Sequence, residues 1–156
     1  MKLFVTFFSF ILLSIHCLSQ SLEGEWKGSF TYYWVDPKTP YYTYQTNNKP
    51  IKINIVLNSD SSYSGYSYST GPDSRGNDTT YVCALLCKRI SSDSVYLEEM
   101  RVIKPNNIPT DCGQKMYLKF GKRKKSITLE GNWKTNPAKC EGNYSGEITL
   151  YKKIFN

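Results

Sequence analysis

Ile51-Lys52-Ile53-Asn54-Ile55-Val56-Leu57 decides the fold class. Ile51, Ile53, Ile55 and Leu57 fall on one face, Lys52 and Asn54 on the other. That period of two is the mark of a half-buried strand, whose successive side chains leave on opposite faces. The pattern recurs on both sides. Trp26 to Trp34 keeps its even positions apolar, apart from Gly28. Ser61 to Thr70 is rich in Tyr and Ser and reads as a more exposed strand, while Tyr81 to Ile90 is apolar on both faces, as in a central one. Val95, Leu97 and Ile103 belong to one run, with Glu99 and Arg101 between them. Met116, Leu118 and Phe120 share a face, as do Ile127, Leu129, Gly131 and Trp133, and Ile148 and Leu150 end the series. Turn signals separate the runs: Asp36-Pro37, Asn47-Asn48, Gly71-Pro72, Ser91-Ser92-Asp93, Pro105-Asn106-Asn107, Gly121-Lys122 and Asn136-Pro137. No window beyond Gln20 sustains a helical period. The expectation is an all-β, antiparallel up-and-down meander of eight to ten strands. Such a meander hides its edges most economically by closing as a barrel, with a β-sandwich as the alternative.

The chain has 156 residues, one ordinary domain in length. Residues 1–19 read as a secretory signal. Lys2 supplies the positive start, Leu3 to Leu13 is apolar apart from Thr6 and Ser9, and Cys17-Leu18-Ser19 precedes a cleavage before Gln20. The apolar run is short for a membrane span, which needs about 20 residues. A lipid anchor on Cys17 is disfavoured by His16 just before it. The expectation is therefore a secreted or periplasmic protein with a single domain over 20–156 and no membrane span.

Removing the signal takes Lys2 and lowers the net charge from +7 to +6. It also takes His16, the only histidine. Residues 20–156 therefore lack Ser-His and Cys-His nucleophile activation, a histidine base and a histidine metal ligand. Neither a metal nor another cofactor is expected, and binding rather than catalysis is the expected activity. Glu98 and Glu99 are adjacent, so on a strand they face opposite ways. A glycosidase-type carboxylate pair would have to come from different strands, with Glu99, Glu130 and Glu147 as candidates.

Four cysteines remain: Cys83, Cys87, Cys112 and Cys140. An even count in an exported chain reads as a disulfide framework. Four residues of strand span about 13 Å, too far for a Cys83–Cys87 bond, whose Cα atoms must approach to about 4.4–6.8 Å. Cys112 and Cys140 bracket a hairpin-like stretch and are the expected pair. Cys83 and Cys87 are then buried free thiols or paired elsewhere. Zinc is not expected, because CxxC-type spacing is absent.

A short motif occurs twice. Ser21-Leu22-Glu23-Gly24-Glu25-Trp26-Lys27 returns as Thr128-Leu129-Glu130-Gly131-Asn132-Trp133-Lys134. In each copy glycine lets the strand bend or admit a large neighbour, and the Trp two residues on shares its face. Gly24, Trp26, Gly131 and Trp133 are thus expected to be structural, on first and late strands that meet at a closure. With Gly24-Glu25-Trp26 opening the first strand after a signal, the chain resembles the lipocalin and calycin group of small secreted barrels. The resemblance implies that Trp26 plugs a closed end and that the open end takes a small apolar or amphipathic ligand. That group often sets an arginine of the last strand against this Trp. Here the last strand offers only Lys152 and Lys153, and the group's middle T-D-Y-type motif is missing.

Two further surfaces stand out. Thirteen tyrosines provide apolar faces with hydroxyl handles. Tyr32, Trp34, Tyr41, Tyr42, Tyr44, Tyr66 and Tyr68 are the candidate ligand contacts. The run Lys119 to Lys125, with Lys122, Arg123, Lys124 and Lys125 at its end, is a candidate anionic-surface contact or a solvated turn that protects a strand edge. Asp73 to Thr79 is oxygen-rich but includes Arg75, which argues against calcium. Asn77-Asp78-Thr79 and Asn143-Tyr144-Ser145 match the glycosylation acceptor pattern. Two functions follow: a binder holding an apolar ligand in a barrel mouth, or a surface module or inhibitor recognising a glycan, an envelope polymer or a protein. Nucleic acid is not an expected partner outside the cell, and nothing in the sequence speaks to oligomeric state.

Overall fold

The structure is a computed structural model, and it describes residues 21–35, 43–45, 48–72, 75–105, 108–109, 113–135 and 144–154. The strands are β1 (Gly24–Phe30), β2 (Tyr33–Val35), β3 (Thr43–Gln45), β4 (Lys49–Leu57), β5 (Tyr63–Pro72), β6 (Asp78–Arg89), β7 (Ser94–Lys104), β8 (Ile108–Pro109), β9 (Lys115–Arg123), β10 (Ser126–Lys134) and β11 (Tyr144–Lys153). There is no helix among the described residues, and accordingly none long and apolar enough to cross a membrane.

Eight strands form the wall in the order β1-β4-β5-β6-β7-β9-β10-β11, every pair antiparallel, and β1 pairs with β11 to close it. The meander is therefore a barrel and not a sandwich. The short strands are additions to this wall. β2 continues from β11 (Tyr144 opposite Trp34) and pairs with β3, while β8 lies along β7.

Alternation fills the barrel. Trp26, Phe30, Ile51, Ile53, Ile55, Leu85, Cys87, Val95, Leu97, Met116, Leu118, Leu129, Trp133, Ile148 and Leu150 are buried together with Leu22. Burying each such side chain stabilises by about 1.5–3 kcal/mol before chain entropy is counted. Leu57, in phase with the isoleucines of β4, is nevertheless exposed, because β4 reaches the rim there and the turn to β5 begins. Cys83 and Cys87 are buried free thiols on β6, and burial pushes both up to about 12, leaving almost no thiolate to react. Cys112 and Cys140 lie outside the described residues.

The two rims differ. One is built by tight turns at 58–62, 90–93 and 124–125, joined by residues 21–23 and Lys152–Ile154. The other carries the longer connections. The repeated motif spans this difference. β1 and β10 do not pair with each other; both flank β11. Trp26 sits by the tight-turn rim and Trp133 toward the opposite one, where its ring meets Phe30 edge-on at 5.7 Å and its Nε1 donates to Thr31 O at 2.8 Å. Gly131 is needed for close approach, since a Cβ there would lie 2.0 Å from Tyr117 O. Gly24 is needed for its backbone, at φ +117°.

Trp26 is fully buried and donates from Nε1 to Leu22 O at 2.8 Å. Lys152 closes over it. Its Nζ lies 4.8 Å from the ring centre and donates to Ser21 O (2.6 Å) and Glu23 O (2.7 Å). One lysine thus ties the entering chain, the plug and the last strand together. Lys152→Met keeps an aliphatic stem near the indole but removes both hydrogen bonds, each charge-assisted and worth about 1.5–3 kcal/mol. Partial burial already holds the Lys152 ammonium below the usual lysine range, which offsets part of that gain. Lys152 is also partly exposed and its bonds are screened by solvent, so the expected net loss is about 2 kcal/mol, read from urea unfolding, with Lys152→Arg closer to wild type.

Candidate functional site

The outer wall brings aromatic, amide and charged side chains into register. Tyr96, Tyr117, Asn132 and Glu147 stand directly opposite one another across β7, β9, β10 and β11. Their strand neighbours Val95, Leu97, Met116, Leu118 and Trp133 are buried in the core, so alternation sends this row outward. The adjacent outward row is Glu98, Lys115, Lys134, Ser145 and Tyr33, again in register from β7 to β2. At strand spacings of about 4.8 Å, four strands carry the first row over roughly 14 Å.

These rows border a shallow groove of about 420 Å³ lined by Tyr33, Tyr117, Asn132, Lys134, Ser145 and Glu147, with the backbone of Trp133 and Gly146 as its floor. Tyr117 is 50% exposed. Its ring is braced by Tyr96, with centroids 4.9 Å apart and planes inclined by 51°. Tyr96 is itself fixed, donating its hydroxyl to Glu98 Oε2 at 2.6 Å. Desolvation and the Glu98 carboxylate raise the Tyr96 phenol well above its ordinary value. Glu98 in turn meets Lys115 Nζ at 3.3 Å. The result is an aromatic plate held by a chain of polar contacts, with an amide, an ammonium and a carboxylate beside it.

A second outer groove, of about 340 Å³, lies over the row Tyr68, Lys52, Lys27 and Tyr151. Its charges are more occupied. Lys52 Nζ sits 4.6 Å from the centre of the Tyr68 ring, and Glu25 meets Lys27 at 2.8 Å and Lys52 at 3.7 Å.

The sequence-derived ligand contacts are dispersed. Tyr66 and Tyr68 face outward on β5, away from the lumen, and Tyr32 packs, partly buried, against the core. Trp34 and Tyr44 belong to β2 and β3, their side chains outside the described set, and Tyr41 and Tyr42 lie outside it altogether. Tyr96, Tyr117 and Asn132 were not singled out by sequence. Tyr96 and Tyr117 do alternate against buried neighbours, but which strands stand side by side is fixed only by register. Lys122, Arg123, Lys124 and Lys125 are all exposed at the β9–β10 turn, where Arg123 meets Glu130 at 3.0 Å.

The candidate carboxylates separate. Glu130 and Glu147 are on the outer wall, whereas Glu99 faces inward, opposite Leu85. Glu130 is engaged from the tight-turn side by Arg123. Inside, Glu99 Oε1 accepts from the buried Ser67 Oγ at 2.6 Å, and Oε2 accepts from the Gln114 backbone N–H at 3.2 Å. The Cys83 thiol is a third neighbour. Solvent still touches part of the Glu99 residue, yet protein atoms crowd its carboxyl. That desolvation outweighs the hydrogen bonds and raises the carboxyl above the ordinary glutamate value. No group of three or more metal-ligating side chains occurs among the described residues.

No protein-family model matches the chain. A comparison with curated proteins likewise returns no match.

The buried carboxyl gives a pH signature. A glutamate whose folded value is raised contributes most below its unfolded value and loses that contribution as pH rises through the folded one. The stability difference between wild type and Glu99→Gln should therefore move against wild type from about pH 4.5 upward and level off above the folded value. Urea midpoints of both proteins across this range provide the check; parallel curves are the contrary result.

Proposed function

We propose that this chain is an exported, non-catalytic binding protein that takes a glycan on its outer wall, along Tyr96, Tyr117, Asn132 and Glu147. The observation that carries this reading is the in-register row, with Tyr117 exposed while its ring is held in place. A sugar ring presents C–H faces that lie on an aromatic plate and hydroxyls that need both donors and acceptors. Tyr117 offers the plate, Asn132 an amide with both functions, Glu147 an acceptor and Lys134 a donor. Binding to a sheet whose side chains are already braced loses little conformational entropy.

A lumenal ligand is the second reading. It draws on the lipocalin-like layout: a closed eight-stranded barrel, Gly24 and Trp26 at its start, and Lys152 over the indole. Lys152 occupies the role that group commonly gives an arginine. Against it stands the crowding of Trp133, Phe30, Leu97, Met116 and Ile148 inside the barrel. Both grooves described above lie outside that core.

A glycan array followed by titration of the best oligosaccharide decides between them. Tyr117→Ala should weaken binding by about tenfold, and Asn132→Ala by several-fold; the unfolding midpoint should hold for the exposed Asn132 and fall slightly for Tyr117, which loses its ring contact with Tyr96. Exported protein that ignores every glycan but carries an apolar molecule in native mass spectrometry would overturn the outer-wall reading in favour of the lumen.

A further inference from the structure

The β9–β10 side of the tight-turn rim concentrates positive charge, while the exposed acids Glu23 and Asp60 stand in the other segments of that rim. Lys122 to Lys125 form the β9–β10 turn and its flanks, and Lys153 of β11 stands opposite Ser126. Arg123 is paired with Glu130. For Lys122, Lys124, Lys125 and Lys153, no ion pair occurs among the described residues. The nearby Asp93 is occupied: its carboxylate accepts from the Ser91 and Ser94 hydroxyls, and its backbone oxygen from Phe120 N–H.

Charge is not the only feature of this rim. Ile154 follows Lys153, is 37% exposed, and donates its backbone N–H to Lys125 O at 3.1 Å. It therefore sits against the basic turn. Ile90, at the neighbouring β6–β7 turn, is 56% exposed. An isoleucine thus flanks the cations on either side, one after β6 and one after β11. Ile90 directly after β6 and Ile154 directly after β11 are both too exposed to add much to the core. A solvated turn or a polyanion contact has use for the lysines and none for the isoleucines.

From these two observations we infer that the tight-turn rim docks on an anionic lipid bilayer. Lys122, Lys124, Lys125 and Lys153 meet the headgroups, while Ile90 and Ile154 enter the interface between headgroups and acyl chains. The attachment is peripheral and reversible, since it combines a basic patch with a small apolar area. It leaves the Tyr117 row on the side wall and is independent of the glycan reading.

The test is co-sedimentation of the purified chain with phosphatidylcholine vesicles containing about one-third phosphatidylglycerol, against pure phosphatidylcholine. Binding should require the anionic lipid and fall at about 1 M salt. Each lysine near the surface is worth about fivefold, so Lys124→Glu with Lys125→Glu should lose twentyfold or more. Ile90→Ser with Ile154→Ser, which keeps every charge, should weaken binding several-fold. All four side chains are exposed, and unchanged melting confirms that the variants fold. Equal binding to neutral vesicles overturns the inference. So does an isoleucine variant that binds anionic vesicles as wild type does, because charge alone would then suffice and a soluble polyanion would be the partner.

Discussion

β1 must serve two neighbours at once. Its residues pair with β4 from Gly24 to Phe30 and with β11 from Lys27 to Phe30, and this double pairing turns an open meander into a barrel. Closure satisfies the backbone groups that an open sheet would leave along its edges. It also confines the inward residues to a fixed volume. The interior then has to be packed to the density of a crystal or hold a guest. Trp26 and Trp133 lie at different heights within it and each binds a carbonyl of the entering or leaving chain. Large aromatic surface and a single donor are well matched to that position, because the ring fills space and the one polar atom finds a partner.

The exception inside is Glu99. β5 contributes Gly65 and Ser67 to the interior, where other strands contribute Ile, Leu or Trp. The β6–β7 pairing slips between Val82 and Cys83 and again between Ala84 and Leu85, and the carboxyl lies beside this irregular stretch. A small neighbour, a disturbed ladder and a buried acid therefore coincide on one side of the barrel. Unlike the apolar remainder, this arrangement depends on its hydrogen bonds to Ser67 and Gln114.

Much of the wall was legible in the sequence, because alternation is a local property. Ile51, Ile53 and Ile55 on β4, Met116 and Leu118 on β9, and Ile148 and Leu150 on β11 all face the core as their spacing requires. The turn at 91–93 falls where Ser and Asp cluster, whereas Gly121-Lys122, read as a turn, belongs to β9 and the chain reverses at 124–125. Three things were not local. Closure depends on β1 meeting β11, more than 100 residues away, and no single window records it. The two copies of the Gly-x-Trp motif read as strands that meet, yet β11 separates them. The Tyr96, Tyr117, Asn132 and Glu147 row exists only once register is set; in the sequence these residues are ordinary polar members of four strands. Composition drew attention to tyrosines in dense runs, whereas recognition by a sheet depends on tyrosines spaced one per strand.

Closure also governs where this protein meets other molecules. A sheet that closes on a packed core offers its outer wall and its two rims. On the wall, neighbouring strands hold side chains about 4.8 Å apart, so a row of recognition groups is ordered before any partner arrives. At the rims, loop length sets the mode of contact. Short turns present few residues rigidly and suit a flat partner, such as the bilayer proposed for the β9–β10 turn. A single barrel can therefore carry a wall site and a rim site without coupling them, because Tyr117 and Lys125 belong to different ends of the β9–β10 hairpin and a rigid ladder lies between them.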